Sequence, residues 1–138
     1  MTGPIDARLD HVGVVVSSVS DAAREYVQLL GAVIEGPVIR DPIQKVDIQF
    51  LRLPDGTRVE LIQPCSPDSP AKRALEKGGG INHLCFEVPD LQSAIDAAVA
   101  SHAYPVCPPT PAPALGGRKV AFLVKKHIGL IEFVESAD

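Results

Sequence analysis

The 138-residue sequence predicts an α+β protein made of two tandem βαβββ modules. The first ground for this is an internal repeat. Leu9 to Val16, an apolar run with a histidine near its start, returns as Ile81 to Val88, so that His11 and His83 stand 72 residues apart. The same offset relates Val59-Glu60-Leu61-Ile62 to Ile131-Glu132-Phe133-Val134, and Phe50-Leu51 to Phe122-Leu123. One constant register across three apolar runs marks a duplicated unit. The second ground is that each copy alternates short runs rich in valine and isoleucine with one stretch of helical spacing. The third is composition: aromatics are 4% and tryptophan is absent, so a core must come from Val, Leu, Ile and Ala, which suits strands packed on small helices.

In order along the chain, residues 1–8 are polar, and Leu9 to Val16 reads as a buried strand. Its alternation puts His11, Gly13 and Val15 on one face and Val12, Val14 and Val16 on the other. Ser17 to Ser20 offers capping groups before a helix over Asp21 to Leu30, and Gly31 is its natural stop. Ala32 to Gly36 is a weak second strand and Val46 to Leu53 a stronger third. Pro54-Asp55-Gly56 supplies turn chemistry, and Arg58 to Gln63 is the fourth strand. Ser66 to Pro70 caps a short helix from about Pro70 to Lys77, which Gly78-Gly79-Gly80 ends. The second copy follows with a strand over Ile81 to Val88, Asp90 as cap, a helix from Leu91 to about His102, and strands near Tyr104 to Cys107, Arg118 to Val124 and Leu130 to Val134. Pro108 to Gly117 is too rich in proline for a strand or helix and reads as a loop, of the kind that borders an active site or simply covers the surface. The whole forms one domain, with module one at about 9–63, a linker at about 64–80 and module two at about 81–135.

Composition excludes several function classes. A net charge of −4 and a pI near 5.5 argue against a nucleic-acid partner, which needs clustered Lys and Arg. Cys65, Cys85 and Cys107 are an odd number in no zinc-ribbon spacing, so neither a disulfide framework nor a thiolate metal site is expected. No run reaches the roughly 18 apolar residues of a membrane span, and the chain reads as a soluble cytoplasmic protein.

Four residues carry the candidate chemistry. His11, Glu60, His83 and Glu132 each occupy a strand flanked by apolar residues, where an uncompensated ionised group is costly. Two imidazoles and two carboxylates related by one offset fit a single divalent ion with nitrogen and oxygen ligands, and leave room for water or substrate in an octahedral shell. Cobalt, nickel, manganese, zinc and iron all remain open. Cys85 is core or lining.

These residues resemble the vicinal oxygen chelate (glyoxalase/bleomycin resistance/dioxygenase) superfamily over nearly the whole chain, from about Leu9 to Glu135. Within it the chain looks most like the methylmalonyl-CoA epimerases. The motifs that carry this are Asp10-His11-Val12-Gly13, Val59-Glu60-Leu61, the linker Ser66-Pro67-Asp68-Ser69-Pro70 with Leu75-Glu76-Lys77, Gly80-Ile81-Asn82-His83, and Gly129-Leu130-Ile131-Glu132. The resemblance implies a cupped eight-stranded mixed sheet with helices on its outer face. It puts His11, Glu60, His83 and Glu132 on the metal positions and gives Glu132 a second role as acid/base. It also implies a homodimer acting on a small-molecule substrate, an acyl-CoA or other thioester, by abstracting the proton next to the thioester carbonyl. A glyoxalase-I-like lyase using the same ligand set, and a non-catalytic ligand-binding or resistance protein, are the alternatives. A linker of the Asp-Ser-Pro type weighs against the glyoxalase.

The chain departs from the epimerase pattern at Asn82, at Leu115-Gly116-Gly117 and at Val124-Lys125-Lys126. At Ile48 it also lacks the glutamate that some epimerases use as a second base. Asp47 is the candidate replacement. Alternation groups Asp47 with Gln49 and leaves open which side of that strand faces the metal.

Overall fold

A computed structural model describes residues 3–137. The chain forms two compact units, one spanning His11–Asn82 and the other bringing the chain before His11 together with that after Asn82. Among the described residues the fold is α+β, with three α-helices and strands in both parallel and antiparallel pairings. Among the described residues no helix is long and apolar enough to cross a membrane.

In the first unit, the larger part of β1 (Arg8–Val15) runs into α1 (Val19–Leu30), followed by β2 (Val33–Ile34), β3 (Ile39–Asp41), β4 (Val46–Arg52), β5 (Arg58–Pro64) and α2 (Pro70–Glu76). The strands are ordered β2-β4-β5-β1, with β1 parallel to β5 and β4 antiparallel to it. Helix α1 starts where the Ser18 side chain accepts the Asp21 N–H at 3.1 Å and Gln63 of β5 accepts the Val19 N–H at 2.8 Å, so its first turn is tied to the sheet. It ends at Gly31, whose left-handed φ of 69° lets its N–H turn back onto the last turn's carbonyls. Val19 and Ala23 bury against Val14, Leu51, Val59 and Leu61. Full burial of a valine or leucine side chain stabilises by about 1.5–3 kcal/mol, and this packing commits one side of β1, β4 and β5 to the helix.

The second unit repeats this. It contains the larger part of β6 (Gly80–Val88), then α3 (Leu91–Ala100), β7 (Tyr104–Pro105), β8 (Thr110–Pro111), a 3-10 turn at Pro113–Leu115, β9 (Lys119–Lys125) and β10 (Gly129–Glu135). The strands are ordered β6-β10-β9-β7, with β10 parallel to β6 and antiparallel to β9. Asp90 caps α3 by accepting the Ser93 N–H at 2.9 Å. Leu91, Ala94, Ile95 and Ala98 then pack on Ala121, Leu123, Ile131 and Phe133.

Two local expectations are corrected. The proline-rich stretch is not a plain loop: Thr110–Pro111 pairs with β9, and the chain then tightens into the 3-10 turn. Proline is tolerated there because β8 is an edge segment that needs donors on one side only. The same feature exists in the first half, where β3 pairs with β4 beside β2. The ten segments therefore fill eight strand positions, with the edge position of each half broken in two. Helix α3 also stops at Ala100 rather than His102, because the Ala103 N–H turns back to the Ala98 carbonyl and His102 takes a left-handed φ of 72° to allow it.

Candidate metal centre

The register decides which side chains share the side opposite the helices. Cross-strand partners lie on one side of a sheet, so the Phe50–Glu60 and Ile48–Ile62 pairs lie on one side of β4 and β5, while Leu51–Val59 and Gln49–Leu61 lie on the side packed by α1. Alternation along β1 places His11 opposite Val12 and Val14, on the side of Glu60. His11 is fully buried and Glu60 nearly so, and the His11 Nε2 stands 3.5 Å from Glu60 Oε1. The Phe50 ring meets the imidazole edge-to-face, with centroids 5.1 Å apart and planes at 82°.

The second unit makes the same arrangement from the residues 72 positions on. His83 and Glu132 are both buried, with His83 Nε2 to Glu132 Oε1 at 3.1 Å. Phe122, the cross-strand partner of Glu132, stacks edge-to-face on His83 at 5.3 Å and 84°. Cys85 is the register neighbour of Glu132 on β6 and is fully buried, where the first half has Gly13 beside Glu60. The sequence repeat had included both phenylalanines without a role for them. The signal was their shared offset, but whether each ring meets a histidine depends on strand register, which an offset does not give.

One difference between the halves bears on chemistry. The Arg58 guanidinium lies 4.3 Å from the Phe50 ring centroid and also donates to Glu35 at 3.0 Å. The equivalent position in the second half is Leu130. Glu60 therefore has a cation two residues before it on its strand, and Glu132 an apolar side chain.

Asp47, the expected second base, lies on the other side of β4. It pairs with Gln63, on the side of Leu51 and Gln49, whereas Ile48 shares the side of Phe50 and Glu60. Its carboxylate is gripped by Arg40 through Nε at 2.8 Å and Nη2 at 3.0 Å, and that guanidinium holds the carboxyl below the usual aspartate range. A bidentate ion pair of this kind is a poor proton acceptor, and the register turns Asp47 away from the side of Glu60.

Comparison with known proteins fits this geometry. Residues 10–122 match the Glyoxalase/Bleomycin resistance protein/Dioxygenase superfamily. The chain belongs to that superfamily. This member is 36% identical over 121 residues to the ethylmalonyl-CoA/methylmalonyl-CoA epimerase of Cereibacter sphaeroides, covering 86% of this chain and 89% of that one. It is 30% identical over 132 residues to the mitochondrial methylmalonyl-CoA epimerase of Dictyostelium discoideum, covering 93% and 78%. Among solved structures, the methylmalonyl-CoA epimerase of Mycobacterium tuberculosis superposes with a TM-score of 0.85 at 25% identity, covering 100% of this chain and 93% of that one. Within this superfamily member, each histidine–glutamate pair offers an imidazole nitrogen and a carboxyl oxygen at close range in a buried setting. That donor set suits a borderline divalent cation.

Proposed function

We propose that the protein is a metal-dependent isomerase of the methylmalonyl-CoA epimerase type, which removes the proton next to a thioester carbonyl. The observation that carries this reading is the duplicated pair: one buried histidine and one buried glutamate in each half, with the same phenylalanine against each imidazole. We assign His11, Glu60, His83 and Glu132, all of metal-ligand type, to a single divalent ion. Two carboxylates balance its charge, which removes the cost of burying them alone. When bound, such an ion supplies Lewis-acid stabilisation of the charge that develops on the carbonyl oxygen.

The remaining chemistry falls to the chain itself. Glu132 is the proton carrier, and the apolar Leu130 at the position of Arg58 suits a carboxylate that must become neutral in the cycle. His11 and His83 serve as ligands, their ring planes held by Phe50 and Phe122. Ile48 and Ile62 make the side around Glu60 apolar and help exclude water. With Ile48 there and Asp47 turned away, proton return to the opposite face falls to a water or to a residue other than Asp47. The epimerase names of the relatives support a malonyl-type thioester as substrate.

The test is solvent exchange. Methylmalonyl-CoA incubated with metal-loaded protein in deuterated water should take up deuterium at its α-carbon, because exchange needs only one base. No exchange, beside clear turnover of the glutathione hemithioacetal of methylglyoxal, would assign the site to glyoxalase chemistry instead.

A further inference from the structure

We propose that the groove along α2 is an anion site for the phosphates of the nucleotide tail of an acyl-CoA substrate. The proposal rests on the thioester reading and says where its carrier is held. The groove is open, about 480 Å³ in volume, and Lys72, Arg73 and Lys77 line it with Asp68 and Glu76. What singles it out is the state of its cations. Of the eight lysines and arginines in His11–Asn82, five meet a carboxylate: Arg24 meets Asp21, Arg40 meets Asp47, Lys45 meets Asp68, and Arg52 and Arg58 share Glu35. The other three make no ion pair among the described residues, and all three lie in this groove. In a chain of net charge −4, a gathering of uncommitted cations runs against the overall balance.

The acidic residues of the groove do not cancel them. Asp68 is engaged by Lys45 and by the Ser66 hydroxyl, which lower its carboxyl to about 2. Glu76 alone then faces three cations, leaving a surplus of two positive charges. A guanidinium can grip a phosphate through two parallel N–H donors, and ammonium groups beside it act as point charges.

The groove is also held in place. The buried Ser69 hydroxyl donates to the Gln44 carbonyl at 2.9 Å and accepts the Ala71 N–H at 3.2 Å, fixing the start of α2. Beyond its end, Gly79 packs so closely on the Val15 carbonyl that a Cβ would come within 2.8 Å of it. Between these anchors α2 lies against β5, the strand that carries Glu60. The CoA tail carries several phosphates, which a cation-lined groove of this kind can hold.

Two measurements on the full chain test the proposal. In the first, adenosine 3′,5′-bisphosphate is titrated calorimetrically against the wild type and the Lys72→Ala/Arg73→Ala/Lys77→Ala variant. The nucleotide should bind the wild type, bind less well as salt rises, and lose about tenfold or more in affinity in the variant, as the loss of charge-assisted contacts requires. Circular dichroism and Tm establish that the variant is folded. No binding to wild type, equal binding to both proteins, or inorganic phosphate binding as tightly as the nucleotide would overturn the assignment. The second measures KM for methylmalonyl-CoA and for the corresponding pantetheine thioester, which lacks the nucleotide. The variant should raise KM for the CoA thioester alone, and an equal change for both substrates would overturn the proposal. If the protein binds the nucleotide but exchanges no thioester proton, the groove stands as a site for a phosphorylated carrier and the reaction falls. If exchange occurs without nucleotide binding, the reaction stands and the groove falls.

Discussion

Asp47 and Ile48 are neighbours on β4, and a single step of alternation gives them opposite fates. Ile48 shares the side of Glu60, while Asp47 is spent on Arg40. Asp47→Asn should therefore leave both metal content and α-proton exchange unchanged, and a loss of exchange would restore it as a base. Its effect belongs to stability, with a definite pH sign. The carboxyl is depressed by Arg40, so the pair stabilises the fold above the ordinary aspartate value of about 3.9 and loses that contribution as pH falls through the lower folded value. The Tm gap between wild type and Asp47→Asn should be present at neutral pH and close in acid. Glu132→Gln is the contrasting case. If Glu132 moves the proton as well as holding metal, exchange should fall about a hundredfold or more, the usual scale of an acid–base contribution, while metal content falls far less. Loss of exchange only in proportion to metal would make it a ligand alone. The four candidate ligands were legible in the sequence because burial and a fixed offset are both written there. Arg58, Phe50 and Phe122 were not legible as parts of the site, since their relevance depends on which side of a strand they occupy and what faces them.

At the scale of elements, local chemistry accounts for most of what could be read in advance. Ser18, Gly31 and Asp90 act where their cap signals stand, because capping depends on a few adjacent residues. Ser18→Ala should lower unfolding stability by about 1 kcal/mol, seen as a shift in denaturant midpoint at constant slope. The short edge segments were harder. Neither Ile39–Asp41 nor Thr110–Pro111 carries a strand pattern of its own, and both are strands only because β4 and β9 offer them a partner. Gly79 shows the opposite limit, a position where tertiary contact forbids any side chain. Its φ of 68° is left-handed, and a Cβ would meet the Val15 carbonyl oxygen at 2.8 Å. Gly79→Ala should thus destabilise by roughly 1–3 kcal/mol, the cost of such strain, and a neutral result would mean that the glycine turn can shift away from β1.

For the whole molecule, duplication raises the question of stoichiometry. Each half supplies one imidazole and one carboxylate, which is too few to hold a divalent ion firmly against water. A single ion drawing on both halves loses one of its four ligands whichever histidine is removed, so either substitution should weaken retention to a similar degree. Two independent ions, one per half, would behave differently, since His11→Ala would then spare the ion at His83. Elemental analysis after loading and dialysis should give about one ion per chain for wild type and a clearly lower content, similar in the two, for His11→Ala and His83→Ala. Thermal unfolding supplies an independent readout. A ligand that binds only the folded chain stabilises it by RT ln(1 + [L]/Kd), about 2.7 kcal/mol at a hundredfold excess over Kd, which for a chain of this size raises Tm on the order of 8 °C. Excess chelator should remove that increment from the wild type, and both histidine variants should show a smaller increment than the wild type at the same metal concentration. A variant that keeps half the metal and half the increment would show that the halves bind separately, and the shared-ion assignment would then give way to two two-ligand sites.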